Sequence, residues 1–88
     1  MTRKLPQARV KALAFLIELL PPVIARKEVR RVLGGIVAPQ TLANADKAGN
    51  GPRFRLIIGR EVAYRTPFLL EYLEESRGVR EIDDSLRA

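Results

Sequence analysis

Gln40 and Asn44 stand four residues apart in a segment with helical patterning, and each carries a planar amide that donates and accepts hydrogen bonds at once. Amides at that spacing share one helix face and have the geometry to bond the edge of adenine in a DNA major groove. Thr41 and Lys47 lie on the same stretch with groups suited to phosphate. Arg53, Arg55 and Arg60 follow in a basic segment, and Arg26, Lys27 and Arg30 precede it. All of these are binding groups. The side chains of the common catalytic designs are missing, because the chain has no Cys and no His. That excludes zinc sites, disulfide frameworks, thiol nucleophiles and imidazole bases. Ser occurs only as Ser76 and Ser85, in an acidic C-terminal stretch with no base nearby. The expectation is a protein that is not an enzyme and uses no metal and no cofactor.

At 88 residues the chain is one small domain, too short to enclose a large cleft, so function must sit on its surface. Its charge is unevenly spread. Residues 1–65 hold 13 Lys and Arg against 4 Asp and Glu, whereas residues 66–88 hold 3 against 6. A field concentrated in this way attracts polyanions at long range, nucleic acid and anionic lipid first among them.

Arg3, Lys4, Arg9 and Lys11 precede the apolar run from Ala12 to Leu20, an order shared with secretory signals. Glu18 interrupts the run, Pro21 and Pro22 end it, and no small-x-small cleavage site follows. It is also too short to span a bilayer. The pattern predicts a helix over 7–20 and no membrane partner; a cytoplasmic, nucleoid-associated location is the expectation if the basic surface meets DNA. Val10, Leu13, Ile17 and Leu20 form one apolar stripe on that helix, and Phe15, Leu16 and Leu19 form a second on nearly the opposite side. One stripe suffices to dock on a core. The surplus stripe, Phe15, Leu16 and Leu19, is the candidate homodimer interface.

After the double proline, Arg26 to Leu33 reads as a short amphipathic helix with Val29, Val32 and Leu33 on one face, stopped by Gly34 and Gly35. Pro39 suits the first position of a second helix running to Ala48 and ending at Gly49. Leu42 and Ala45 point inward there, and Gln40, Ala43, Asn44 and Lys47 share the outward face. Residues 53–58 then read as a strand with Phe54, Leu56 and Ile58 facing the core. Gly59-Arg60 is a two-residue hairpin turn, and residues 61–65 return with Val62 and Tyr64 inward. Thr66 can cap, and Pro67 can open, a last helix through Glu75, with Phe68, Leu69, Tyr72 and Leu73 on its apolar arc.

The order of Arg26-Lys27-Glu28-Val29, Pro39-Gln40-Thr41-Leu42-Ala43-Asn44, Gly49-Asn50-Gly51-Pro52, Ile58-Gly59-Arg60 and Tyr64 with Tyr72-Leu73-Glu74 resembles the small excisionase and AlpA-type prophage regulators. The resemblance covers about residues 23–76. It implies a winged helix-turn-helix related to the MerR type: mainly α with a small β-hairpin, here with an added N-terminal helix over 1–22 and a flexible tail over 77–88. It further implies double-stranded DNA as partner, a role in transcription or as a recombination directionality factor, and an integrase or the transcription machinery as further partners. Gln40 and Asn44 would then read bases, Thr41 and Lys47 would touch phosphate, Arg53, Arg55 and Arg60 would reach backbone or an adjacent minor groove, and Arg26, Lys27 and Arg30 would add phosphate contacts.

Three features depart from that family's pattern. Ala25 and Ala38 stand where a capping Ser or Thr is usual, Ala45 replaces a bulky anchor, and the turn from Gly34 to Ala38 is long. The space left by Ala45 is one the N-terminal helix could fill. The same basic surface also fits an RNA binder or a protein-interaction adaptor, although Phe54, Tyr64, Phe68 and Tyr72 all fall on expected core faces rather than on a stacking platform.

Overall fold

A computed structural model describes residues 7–80 and Ile82. Among these residues the chain forms three α-helices and one three-stranded antiparallel sheet, a small mixed α/β architecture. Most of the tail expected over 77–88 lies outside the described residues.

Strand β1 is Val23–Ala25. It passes through a 3-10 turn, Arg26–Glu28, into helix α1, Val29–Val32. Gly34 and Gly35 then reverse the chain with positive φ, and the Gly35 N–H closes the end on the Arg30 carbonyl at 2.6 Å. Helix α2 is Pro39–Ala48. Proline opens it, the extended Ala38 contributes a carbonyl but no side-chain cap, and Gly49 at φ +83° ends it in the left-handed region. Strands β2, Leu56–Ile58, and β3, Glu61–Arg65, form the hairpin across Gly59-Arg60, and helix α3 is Thr66–Arg77.

β3 is the central strand, with β1 and β2 on either side of it. The third strand corrects the expectation of a simple hairpin. Ile24 lies opposite Tyr64 and Ile57 opposite Val62, so these four side chains share one sheet face. Leu56, Ile58, Ala63 and Arg65 take the other. Ile24 and Tyr64 are buried with Val29, Leu33, Val37, Leu42, Leu69, Leu70 and Leu73 in one core. Leu42 therefore does what its spacing predicts, fastening α2 from below. β2 is shorter than expected, and its pairing sets Leu56 and Ile58 on the face opposite Val62 and Tyr64, so they do not share the core face as expected: Leu56 is half-buried and Ile58 exposed.

The helix predicted over 7–20 does not form. Residues 11–20 follow tight turns containing one 3-10 turn, Ala14–Leu16. Two carboxylates of α3 take the backbone donors that a helix ladder would otherwise use. Glu71 accepts the Arg9 N–H at 2.6 Å, and Glu74 accepts those of Lys11 at 2.8 Å and Leu13 at 3.0 Å. The stripe of Val10, Leu13, Ile17 and Leu20 still packs on the core, joined by Leu16. Leu16 thus leaves the expected dimer face, while Phe15 and Leu19 stay exposed. Thr66 is not a cap either. It is the first residue of α3, and its hydroxyl donates to the Pro21 carbonyl while its N–H bonds Pro22 at 2.9 Å, tying the double proline to the start of the helix.

Candidate nucleic-acid interface

Gln40, Asn44 and Lys47 are exposed on the outer face of α2, with Thr41 half-buried beside them. The Gln40 amide donates to the Asn44 Oδ1 at 2.9 Å, so the two head groups lie side by side on one helix face. On the hairpin, Arg60 at the turn is exposed and has no ion pair among the described residues. Lys47 and Arg30 are likewise exposed and make no ion pair among the described residues. Lys27 meets Glu61 at 3.3 Å, an exposed contact that water and salt weaken.

Beneath that face Asp46 organises the elements. Its carboxylate is 6% exposed and takes the Arg26 Nη2 at 2.6 Å and the Tyr64 hydroxyl at 2.5 Å, and the Arg26 Nε donates to the same hydroxyl at 2.9 Å. α2, the turn before α1, and β3 therefore meet at one acid. Arg55 approaches the other carboxylate oxygen at 3.9 Å and keeps half its side chain in solvent. The loop after α2 closes over this group: a Cβ added at Gly51 would fall on the Asp46 Oδ1, so this position needs glycine for space. Burial and the Asp46 hydrogen bond push the Tyr64 phenol up to about 12, against the opposing pull of Arg26.

A second acid, Glu71 on α3, is 1% exposed. Arg53 grips it in bidentate fashion, Nε to Oε1 at 2.6 Å and Nη2 to Oε2 at 2.8 Å, and also bonds the Gln7 carbonyl at 3.0 Å. The same guanidinium lies 5.2 Å from the centroid of Phe68 and 5.8 Å from that of Phe54, and those rings meet edge to face. Arg53 holds the Glu71 carboxyl below its ordinary value, against the cost of burial and with help from the Arg9 N–H.

The ten predicted contact residues accordingly fall into three groups. Gln40, Asn44, Lys47, Arg60 and Arg30 are exposed at the surface, the two amides bonded only to each other, and Thr41, Lys27 and Arg55 are partly engaged. Arg26, half-buried, and Arg53, partly in solvent, are each committed to an acid of the fold, Asp46 and Glu71. Sequence reasoning missed Asp46 and Glu71. The available signal was their position: Asp46 is one of few acids in the basic half, and Glu71 falls between Leu70 and Tyr72 on a largely apolar helix.

Compared with protein-family models, curated proteins and solved structures, the chain matches none. Its own surface must carry the functional reading. A cleft of about 660 Å³ between the N-terminal segment and the sheet is lined by Val10, Ile17, Val23, Leu56 and Phe68, with Arg65 as its charged residue. Among the described residues no group of His, Cys, Asp and Glu is placed to hold a metal ion, and no helix is long and apolar enough to cross a membrane.

Proposed function

We propose that the chain is a sequence-specific double-stranded DNA-binding protein of the winged helix-turn-helix type, with α1 and α2 as the helix pair and the β2–β3 hairpin as the wing. One observation carries the reading: α2 presents adjacent Gln40 and Asn44 amides and Lys47 to solvent, while Leu42 and Asp46 lock its opposite side to the core. A rigidly held helix with exposed amides is suited to the major groove, Gln40 and Asn44 on adenine edges, Thr41 and Lys47 toward phosphate. Lys27, Arg30, Arg55 and Arg60 supply the sequence-independent attraction. Arg26 and Arg53 act through the fold.

The resemblance to excisionase and AlpA-type prophage regulators gives this binding a setting, in transcriptional control or in directing recombination with an integrase. Phe15 and Leu19, exposed on the N-terminal segment, are the surface we assign to a second copy. A single-strand RNA binder is the weaker reading: Phe54 and Tyr72 are half-buried, Tyr64 and Phe68 buried, and Phe15 alone among the five aromatics is exposed.

Selection of bound sequences from a random duplex pool tests the proposal. A defined motif is expected, and Gln40→Ala and Asn44→Ala should each relax it at particular positions, at a cost of about 1–3 kcal/mol on the preferred site. Failure to bind duplex at low salt would sink it.

A further inference from the structure

The hairpin carries a feature that a phosphate-contacting wing does not require. Ile57 and Ile58, the last two residues of β2, are 63% and 59% exposed. They stand between Arg55 and the Gly59-Arg60 turn. Ile57 shares the sheet face of Tyr64, whose hydroxyl bonds Asp46 of α2, so its side chain projects on the side of the sheet that carries α2. Ile58 projects on the other side, opposite Glu61. The tip is therefore apolar on both faces, and its rim carries Arg55 and Arg60 beside Glu61, whose carboxylate Lys27 pairs at 3.3 Å, so the rim is net cationic.

We propose that this tip is an apolar wedge that enters the DNA minor groove next to α2, with Ile57 and Ile58 packing on deoxyribose and base edges while Arg55 and Arg60 meet the flanking phosphates. The inference rests on the reading of α2 as a major-groove helix, since the groove beside an occupied major groove is the minor one. Branched aliphatic side chains are among those that press into minor grooves and between base steps.

Charge selects this occupant over a second copy. β2 is an edge strand with an open row of backbone groups, which could pair with another chain. A second copy laid on this edge would bring the net positive rims together, Lys27, Arg55 and Arg60 against a single Glu61 on each side. A polyanion meets the same arrangement with attraction.

Counterion release separates an apolar contact from an ionic one. Ile57→Thr with Ile58→Thr keeps β-branching on an exposed strand and removes only apolar surface. In anisotropy titrations of the whole chain against a fluorescent mixed-sequence duplex, at several salt concentrations, the paired variant should bind about tenfold more weakly with an unchanged slope of log affinity on log salt. Arg60→Ala should instead lower the slope by about one. Equal affinity of the paired variant and the native chain would overturn the wedge and leave the α2 reading intact, as would a loss of affinity accompanied by a shallower slope. A native mass that rises with concentration and becomes monomeric in the paired variant would assign the tip to self-association and overturn the wedge. No duplex binding by the native chain would remove the α2 reading and the wedge together.

Discussion

Asp46 and Glu71 are both carboxylates almost closed to solvent, both paired with an arginine from another part of the chain, and both tied to a third group. Their surroundings differ in what they hold. Asp46 gathers α2, β3 and the turn before α1, the three elements that set the pose of the exposed amide face. Glu71 gathers the loop ahead of β2 and the N-terminal segment onto α3, with Glu74 adding the backbone donors of residues 11–13. The same chemistry serves two ends: one acid orients a surface, the other retains a segment.

Removing each acid in turn breaks the comparison most directly. Asp46→Ala leaves Arg26 and the Tyr64 hydroxyl without their shared acceptor and is expected to cost roughly 3 kcal/mol, the usual consequence of stranding one side of a buried pair. Glu71→Ala should cost less, because the Arg53 head group is partly in solvent and can rehydrate. Thermal or denaturant unfolding measures both. Duplex affinity of the folded protein separates them further: Asp46→Ala should lose sequence preference, whereas Glu71→Ala should keep it. Equal losses of preference would show that the two networks form one unit.

pH separates the two networks at opposite ends of the scale. The folded Glu71 carboxyl sits below its unfolded value of about 4.3, so the folded state binds this proton less readily than the unfolded state. Its contribution is full above that value and disappears as pH falls through the lowered folded one. Tyr64 has the reverse sign. Its folded value is raised to about 12 from about 10, so its contribution is full below pH 10 and is lost as pH rises toward 12. Stability measured against pH should therefore fall on an acid limb that Glu71→Gln flattens and an alkaline limb that Tyr64→Phe flattens. If each substitution flattened the other limb, the assignment of the networks would be wrong.

What the residues announced in advance follows the range of the interactions involved. α2 was legible to its ends because Pro39 and Gly49 act locally, and the hairpin turn because Gly59-Arg60 satisfies a two-residue connection. The outward face of α2 followed from spacing alone. β1 was hidden, since three residues between a double proline and a charged run hold too little pattern to mark a strand. The 7–20 segment had helical periodicity, and its stripe does dock, yet periodicity says nothing about acids on α3 more than sixty positions away that take its N–H groups. The same limit hid the fates of Arg26 and Arg53, whose partners lie 20 and 18 residues off.

The finest distinction lies between two arginines two positions apart. Arg53 and Arg55 look alike in sequence, both flanking Phe54 ahead of β2. Arg53 has both ends of its guanidinium committed to Glu71 and stacks near two rings, so little of its charge is available to a polyanion. Arg55 keeps a loose 3.9 Å approach to Asp46, a distance at which phosphate can displace the carboxylate without breaking a hydrogen bond. Arg55→Ala should thus weaken binding to all duplexes alike, lower the salt slope by about one, and leave the melting temperature nearly unchanged. Arg53→Ala should lower the melting temperature and leave the salt slope of the folded protein as it was. A reversal of this pair would place the DNA surface on the α3 side and remove the distinction between the acid that orients and the acid that retains.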